Sequence, residues 1–458
     1  MAGDAGAVKP DRIDRVESLD LQGRGVVRGQ GKVAFVEGAL PGETIRWEPV
    51  RSGGNFDVGR LLQVQRESSL RVAPRCAHFG LQRGACGGCS MQHLEARAQV
   101  AIKQRALEDA LWHLARLKPE QIARPIAGLQ WGYRHRARLS VRFVARRNEV
   151  LVGFHERASS FVADIRECHV LAGPVGSLLL PLRTLIVSMQ VRQRLPQIEV
   201  AVVQVEGRMR TVLVFRILDS LPESDRDALA RFGADHHVSI WVQPGGPASA
   251  APLTERDQAE LALQLPEFGL QVPFGPTDFT QVNHPVNEVL VRRALAQLDP
   301  QPDHTALDLF CGLGNFTLPL ATRARRAIGI EGNPAQVARA VRAAQFNGLQ
   351  DRVDFIAQDL AEWSRADWEA LNQRHGPIDR VLLDPPREGA LAVARALAAS
   401  AVRPQRLVYI SCNPGTLARD CAVLAHEGGW RLACAGVVNM FAHTSHVESL
   451  AVLEPAAK

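Results

Sequence analysis

The sequence predicts a multidomain chain whose C-terminal part is a doubly wound parallel α/β sheet, preceded by a small β-barrel and a β-rich middle. Three observations carry that expectation. From residue 305 onward the runs "TALDLF", "RAIGIE", "VDFIAQD", "RVLLDPP" and "RLVYISC" alternate with helical stretches, which is how a parallel sheet with crossover helices reads. Residues from about 12 to 66 show short alternating apolar runs between Gly-rich turns, the pattern of a small barrel. The 458 residues exceed what one ordinary core accommodates, so two or three domains are expected.

Composition narrows the class. Hydrophobic residues make up 46% and no low-complexity tract occurs, so burial can offset ordering entropy and a disordered chain is excluded. The most apolar stretch, "VGSLLLPLRTLIVSM", is broken by Pro181 and Arg183, short of the roughly 18 residues a membrane helix needs. The opening "MAGDAGAVKPDR" has no apolar signal core, so a cytoplasmic protein with no membrane association and no obligate protein partner is expected. Lys and Arg number 54 against 48 Asp and Glu, a net charge of +6 that suits a polyanionic partner. Eight cysteines without a secretion signal point to metal binding or catalysis before disulfides.

Along the chain, "HLEARAQVAIKQRALEDALWHLARL" (93–117) has the apolar spacing of a helix, and a Pro-containing connector follows. A β-rich stretch then runs to about 270. Within it, "GYRHRARLSVRFVARR" carries six arginines and no acid. Read as a strand, it puts Arg134, Arg136, Arg138, Arg142 and Arg146 on one face and Ala137, Leu139, Val141, Phe143 and Ala145 on the other, a basic face for phosphate. In the barrel, Phe35 and Lys32 are candidates for base stacking and phosphate contact.

A ligand site is expected at the strand ends. In "ALDLFCGLGNFTLPLA" an apolar strand runs into Gly312-Leu313-Gly314, where glycines allow a tight turn and close approach of a ligand. The following strands end on Glu331, Asp359 and Asp384, so these and Asn315 share the edge where open α/β sheets bind ligands. Glu331 is placed to accept hydrogen bonds from ribose hydroxyls. The third glycine of a dinucleotide loop is replaced by Phe316-Thr317. "Asp-x-Phe-x-Gly-x-Gly" with an acidic end to the second strand instead resembles class I S-adenosylmethionine-dependent methyltransferases.

The fifth strand ends on Cys412, and a helix begins near Pro414. A helix N-terminus favours negative charge by about 0.3 to 1 kcal/mol, so an enriched thiolate is expected there. Carbon 5 of a pyrimidine is a poor nucleophile, and thiolate addition at carbon 6 supplies the electrons that a methyl transfer requires. The carbon 5 proton must then leave, which needs a base, and Glu448, flanked by His443 and His446, is the candidate. Cys421 and Cys434 read as small buried hydrophobes.

"LDLFCGLGNFTLPLA", "LLDPPR", "YISCNPGTLARD" and "MFAHTSHVESL" together resemble, in order, the signatures of the RNA uracil-C5 methyltransferases, and "DFTQVN" (278–283) resembles the segment that precedes their catalytic sheet. The resemblance implies that Gln281, Phe310, Asn315, Glu331 and Asp359 contact S-adenosylmethionine. Asp384 is grouped with them, beside donor and base; Cys412 is implied as nucleophile and Glu448 as proton acceptor.

Cys76, Cys86 and Cys89 in a Gly-rich loop, with Cys168 distant, have spacing that serves zinc or an iron-sulfur cluster alike. The resemblance favours a [4Fe-4S] cluster, although the interval from Cys76 to Cys86 is longer than it implies. The barrel resembles a TRAM domain, an OB-like RNA-binding module. Barrel, cluster and catalytic core together resemble the family members that methylate 23S ribosomal RNA, at the site numbered 1939 in the usual rRNA numbering. The resulting expectation is a class I (Rossmann-like) methyltransferase core, 93–125 and 273–458, with a TRAM-like barrel over 1–68. A central β-rich domain, 69–92 and 126–272, carries the cluster. Two other readings stay open: a tRNA or other rRNA uracil methyltransferase, and a noncatalytic RNA-binding iron-sulfur protein. A cytosine-C5 DNA methyltransferase fits less well, because its cysteine usually follows strand four.

Overall fold

The computed structural model describes residues 11–456 other than 21, 30, 206 and 259. The parts of segments 1–68, 126–272 and 273–458 that fall on the remaining positions lie outside the described residues. Five strands, β1 (Arg12–Leu19), β2 (Gly25–Arg28), β3 (Val33–Glu37), β4 (Thr44–Ser52) and β5 (Phe56–Arg66), close into a barrel in the order β1-β2-β3-β5-β4. Alternation places Val16, Val27, Ala34, Val36, Ile45 and Trp47 inside. Trp47 also donates to Asp14 Oδ2 at 2.9 Å. Gly59 is required by that tryptophan, since a Cβ there would lie 2.4 Å from its ring.

Helix α1 (Ala96–Ala115) starts where Glu95 accepts the amide of Ala98 and stops at Arg116, which is left-handed. Its inner face, Gln99, Lys103, Leu107 and Leu111, follows the four-residue spacing of one helix stripe. Leu107 and Leu111 enter the core of the C-terminal sheet, and β6 (Gln121–Ile122) pairs with that sheet's far strand.

The middle of the chain contributes β7 (Arg136–Val144), β8 (Glu149–Gly153), α2 (Leu179–Ser188), β9 (Gln197–Val205), β10 (Arg208–Arg216), α3 (Glu223–Asp235), β11 (Ser239–Gln243) and β12 (Ala251–Pro252). The strands form one sheet, β12-β11-β10-β9-β7-β8, and β13 (Leu261–Leu265) with β14 (Leu270–Phe274) forms a separate hairpin. Period two decides the packing. Val200, Val202, Leu213 and Phe215 face α2 and α3, whereas Ala201, Val203, Val212 and Val214 join the hairpin in a core shared with the C-terminal sheet.

That sheet is built from α4 (His284–Leu298), β15 (Thr305–Leu309), α5 (Thr317–Arg323), β16 (Arg326–Glu331), α6 (Pro334–Phe346), β17 (Val353–Ala357), α7 (Arg365–His375), β18 (Arg380–Leu383), α8 (Leu391–Ala399), β19 (Arg406–Ser411), α9 (Pro414–Ala422), β20 (Trp430–Val438) and β21 (Glu448–Pro455). Its order is β17-β16-β15-β18-β19-β21-β20-β6. The five strands read from the sequence are parallel neighbours, and both their faces are covered, which explains their continuous apolar runs. The purely parallel expectation needs amending at β21, which runs antiparallel to β19 and β20 because a hairpin returns the chain between them. The strand order reverses between β15 and β18, opening a crevice at their carboxyl ends. No helix among the described residues is long and apolar enough to cross a membrane.

Candidate active site

A cavity of about 670 Å³ opens at this crevice. The turn after β15 supplies Phe310, Gly312 and Asn315, β16 ends on Glu331, the turn after β18 supplies Asp384 and Arg387, and Cys412 follows β19. Gln281 enters from the segment before α4, and Glu448, the first residue of β21, closes the floor with Phe441 and His446. The turn after β15 is tight, with Phe310, Gly312 and Gly314 all at positive φ. Phe310 adopts that conformation without a glycine's freedom, a strain of the kind that collects at functional sites.

Glu331 is held at both oxygens: Oε2 accepts the Gly312 amide at 3.2 Å and Oε1 the Asn333 amide at 2.9 Å. Asn315 and Asn287 exchange amide hydrogen bonds at 2.9 and 3.0 Å, which fixes Asn315 from α4. Beneath them Thr317 donates to Asp308 at 2.5 Å. Burial pushes the Asp308 carboxyl up to about 8. Asp359 stands apart. It lies two residues beyond β17, is exposed, accepts the Ala361 amide at 2.9 Å and is not among the residues lining the cavity.

The electrostatics centre on three acids. Burial raises Asp384 to about 7 against a bond from Gln281, and it raises Glu448 well above the usual carboxylate range, with Asp384 adding repulsion. Cys412 is raised to about 11 by burial and then by Glu448 and Asp384, while Arg387 opposes them. This direction is opposite to the thiolate enrichment expected from the start of α9. Desolvation and two nearby carboxyls outweigh a terminal dipole.

Of the two histidines expected beside Glu448, only His446 faces the cavity, with its Nδ1 3.2 Å from Arg387 Nη2. His443 turns away, stacks on Trp131 at 4.0 Å and donates its backbone amide to Gln99 Oε1 at 2.9 Å. The reading of the sequence missed Phe279, which is 72% exposed at the cavity mouth, and the hairpin wall of Leu263 and Val272. "DFTQVN" held the signal for Phe279; the hairpin had none, because its role depends on long-range packing.

Cys76, Cys86, Cys89 and Cys168 line one pocket with Phe79, Trp131, Tyr133 and Phe154. Burial raises Cys89 to about 12 and Cys168 to about 11, and neighbouring cysteines push both further. Among the described residues no three His, Cys, Asp or Glu side chains are grouped to hold a single metal ion. Cys421 and Cys434 are buried apolar elements, as expected.

The basic face of β7 is only partly available. Arg138 and Arg142 are exposed, and Arg146 lies in a turn beyond the strand. Arg136 is instead committed to the carbonyls of Pro276, at 2.7 Å, and Asp278. The phosphate role expected for Arg136 is thus replaced by a tie to the segment carrying Gln281. Lys32 donates to Gly53 O at 2.9 Å, and Phe35 packs edge-on to Phe56 with Arg24 over its ring.

Comparison with known proteins agrees with this geometry. The chain is 54% identical to the 23S rRNA (uracil(1939)-C(5))-methyltransferase RlmD of Cupriavidus pinatubonensis, over 98% of this chain and 97% of that protein. It is equally 54% identical to the protein of the same name from Bordetella bronchiseptica, over 96% and 92%. The crystal structure of Pyrococcus abyssi tRNA (uracil-54, C5)-methyltransferase in complex with S-adenosyl-L-homocysteine shares the fold, with a TM-score of 0.72 and 22% identity over 96% of this chain and all of that one. The family described as tRNA (Uracil-5-)-methyltransferase matches residues 97–456, a span that runs from α1 through Cys412 to the last strand. A cavity that joins a strand-end cofactor edge to a cysteine and a buried glutamate, within a match of this length, means that the chain belongs to the RNA uracil-C5 methyltransferase family.

Proposed function

We propose that the protein methylates carbon 5 of the uridine in 23S ribosomal RNA that corresponds to position 1939, the activity named for its 54% identical relatives. One observation carries the chemistry: Cys412, Glu448 and the Glu331–Asn315 edge open into a single cavity.

Bound there, S-adenosylmethionine supplies an electrophilic methyl group. Glu331, with both carboxylate oxygens already oriented, accepts its ribose hydroxyls, and Gln281, Phe310, Asn315 and Asp384 complete the contacts. Asp359, exposed beside β17, would reach the cofactor only at its outer edge. Cys412 reacts as its thiolate, the minor form of the raised thiol: once the thiol proton has passed to water, the sulfur adds to carbon 6 of the uracil, and the displaced electron pair makes carbon 5 nucleophilic toward the methyl. Glu448 then takes the proton from carbon 5, the ring double bond re-forms, and Cys412 leaves as thiolate. A raised carboxyl suits this task, because its conjugate base is stronger than that of an exposed glutamate. The target uridine has to leave its stack to enter the cavity, at a cost of a few kcal/mol that is smallest where it is unpaired.

The four-cysteine pocket supplies the four thiolates that a [4Fe-4S] cluster takes, one on each iron, and the family resemblance favours that group. Cys76, Cys86, Cys89 and Cys168 would hold it, and its positive irons would relieve the repulsion among their sulfurs. The barrel, with the exposed arginines of β7, is the proposed RNA surface.

The experiment is to incubate anaerobically purified protein with labelled S-adenosylmethionine and, separately, unmodified 23S rRNA, tRNA and DNA, and to identify the methylated nucleoside. 5-Methyluridine confined to 23S rRNA is expected. Label in tRNA would overturn the substrate while leaving the chemistry, and no label anywhere would favour a binding protein.

A further inference from the structure

Lys103 is 1% exposed on the inner face of α1, and among the described residues no carboxylate partners it. Its Nζ donates to Asn439 Oδ1 at 2.7 Å and to the carbonyl of Phe441 at 2.8 Å. Burial alone pulls the ammonium down to about 7. A lone buried cation is costly, so a fold retains one where its hydrogen bonds hold something that matters.

What it holds is the loop of the base. Val438 and Glu448 are paired across β20 and β21, so residues 439–447 form a closed excursion that leaves from Val438 and returns at its partner Glu448. One turn before Lys103, Gln99 is fully buried and grips the same loop, accepting the His443 amide at 2.9 Å. Tyr133 donates to the Ala442 carbonyl at 2.9 Å. Phe441 and His446 of this loop line the cavity beside Glu448. An ammonium has only donors, so it also fixes which end of the Asn439 amide faces inward.

We propose that Lys103, supported by Gln99, is a positioning residue for the uracil reaction, setting the 439–447 loop so that Glu448 meets the carbon 5 proton. The proposal rests on Glu448 as the base. Lys103 is not among the residues lining the cavity, so its loss should slow proton removal and spare both binding and the attack of Cys412.

The test uses the full-length protein with Lys103→Met, Asn439→Ala and the double variant, with Glu448→Gln alongside. Expected for Lys103→Met is a kcat lower by roughly tenfold to a hundredfold, KM for S-adenosylmethionine within about twofold, and a covalent protein–RNA band on a denaturing gel. Asn439→Ala should give the same signature more weakly, because Lys103 keeps its bond to the Phe441 carbonyl, and the double variant should lose little more than Lys103→Met, because the two substitutions share one contact. Wild-type kcat, or a loss without adduct, would overturn the proposal. Should Lys103→Met not fold, Asn439→Ala decides alone by the presence or absence of adduct. Adduct in Glu448→Gln but not in the folded Lys103 or Asn439 variants removes the positioning role only; no adduct in Glu448→Gln, with methyl transfer intact, removes the base reading and this proposal with it.

Discussion

The Tyr409 hydroxyl donates to Asp420 Oδ2 at 2.7 Å, and the Ala390 amide donates to both, at 3.0 and 2.7 Å. This three-way contact, fully buried, bolts the loop after β18 to β19 and α9. Two further ties finish the job: Thr416 donates to the Arg387 carbonyl at 3.2 Å and Arg419 to that of Glu388 at 2.8 Å. Asp384 and Arg387 thereby keep a fixed relation to Cys412, which starts from the same strand and helix.

Gly389 lies inside that knot at φ +80°, and a Cβ there would sit 2.6 Å from Asp420 Oδ2 and 2.7 Å from Arg419 Nη2. Gly389→Ala should cost about 1 to 3 kcal/mol of stability and lower kcat more than it raises KM for S-adenosylmethionine. Thermal unfolding together with steady-state kinetics measures both.

With the Cys412 thiol raised to about 11, its alkylation in the protein alone should keep climbing from pH 7 to pH 10, rising about tenfold per unit while the thiolate is the minor form. Mass-spectrometric counting of iodoacetamide at Cys412 reads this out. A plateau near pH 8.5 would mean that the helix terminus dominates after all.

Glu448→Gln should still transfer the methyl group and then stall, leaving RNA covalently attached to Cys412. Cys412→Ala should abolish both methylation and adduct and leave S-adenosylmethionine binding largely intact. Denaturing gels and equilibrium binding of labelled cofactor separate the two variants.

Asp384 has a folded value of about 7 against an ordinary 3.8, so the folded protein binds the extra proton between those values. Its contribution to stability is complete below about pH 4 and declines as the pH rises toward 7. The difference in melting temperature between wild type and Asp384→Asn should follow that slope, level below about pH 4 and falling above it.

Cys89→Ser, which changes the most strongly raised thiol of the pocket, should remove the visible absorbance that the proposed cluster would give an anaerobically purified protein and lower its melting temperature. The loosened segment should include 439–447, because Ser90 and Met91 both donate to the His443 carbonyl at 2.9 Å. Hydrogen exchange over that loop checks the connection.

The sequence by itself determined the five parallel strands, the acidic and glycine positions at their ends, the proposed nucleophile and base as residues of one strand-end edge, and the barrel. Each of these is written in a local pattern: apolar runs bounded by glycine, a period of two, or a short motif. Tertiary structure alone decided what those groups experience. The upward push on the Cys412 thiol comes from its burial and then from Glu448 and Asp384, which lie 36 and 28 positions away in sequence. Arg136 looked like a phosphate ligand until its partners, 140 and 142 residues on, were in place. The same is true of Lys103, which read as one polar residue on a helix and gained meaning only against Asn439 and Phe441. Local pattern sets which elements form, because it acts through neighbouring backbone; charge state and positioning depend on burial and on contacts between distant segments, which only the packed fold supplies.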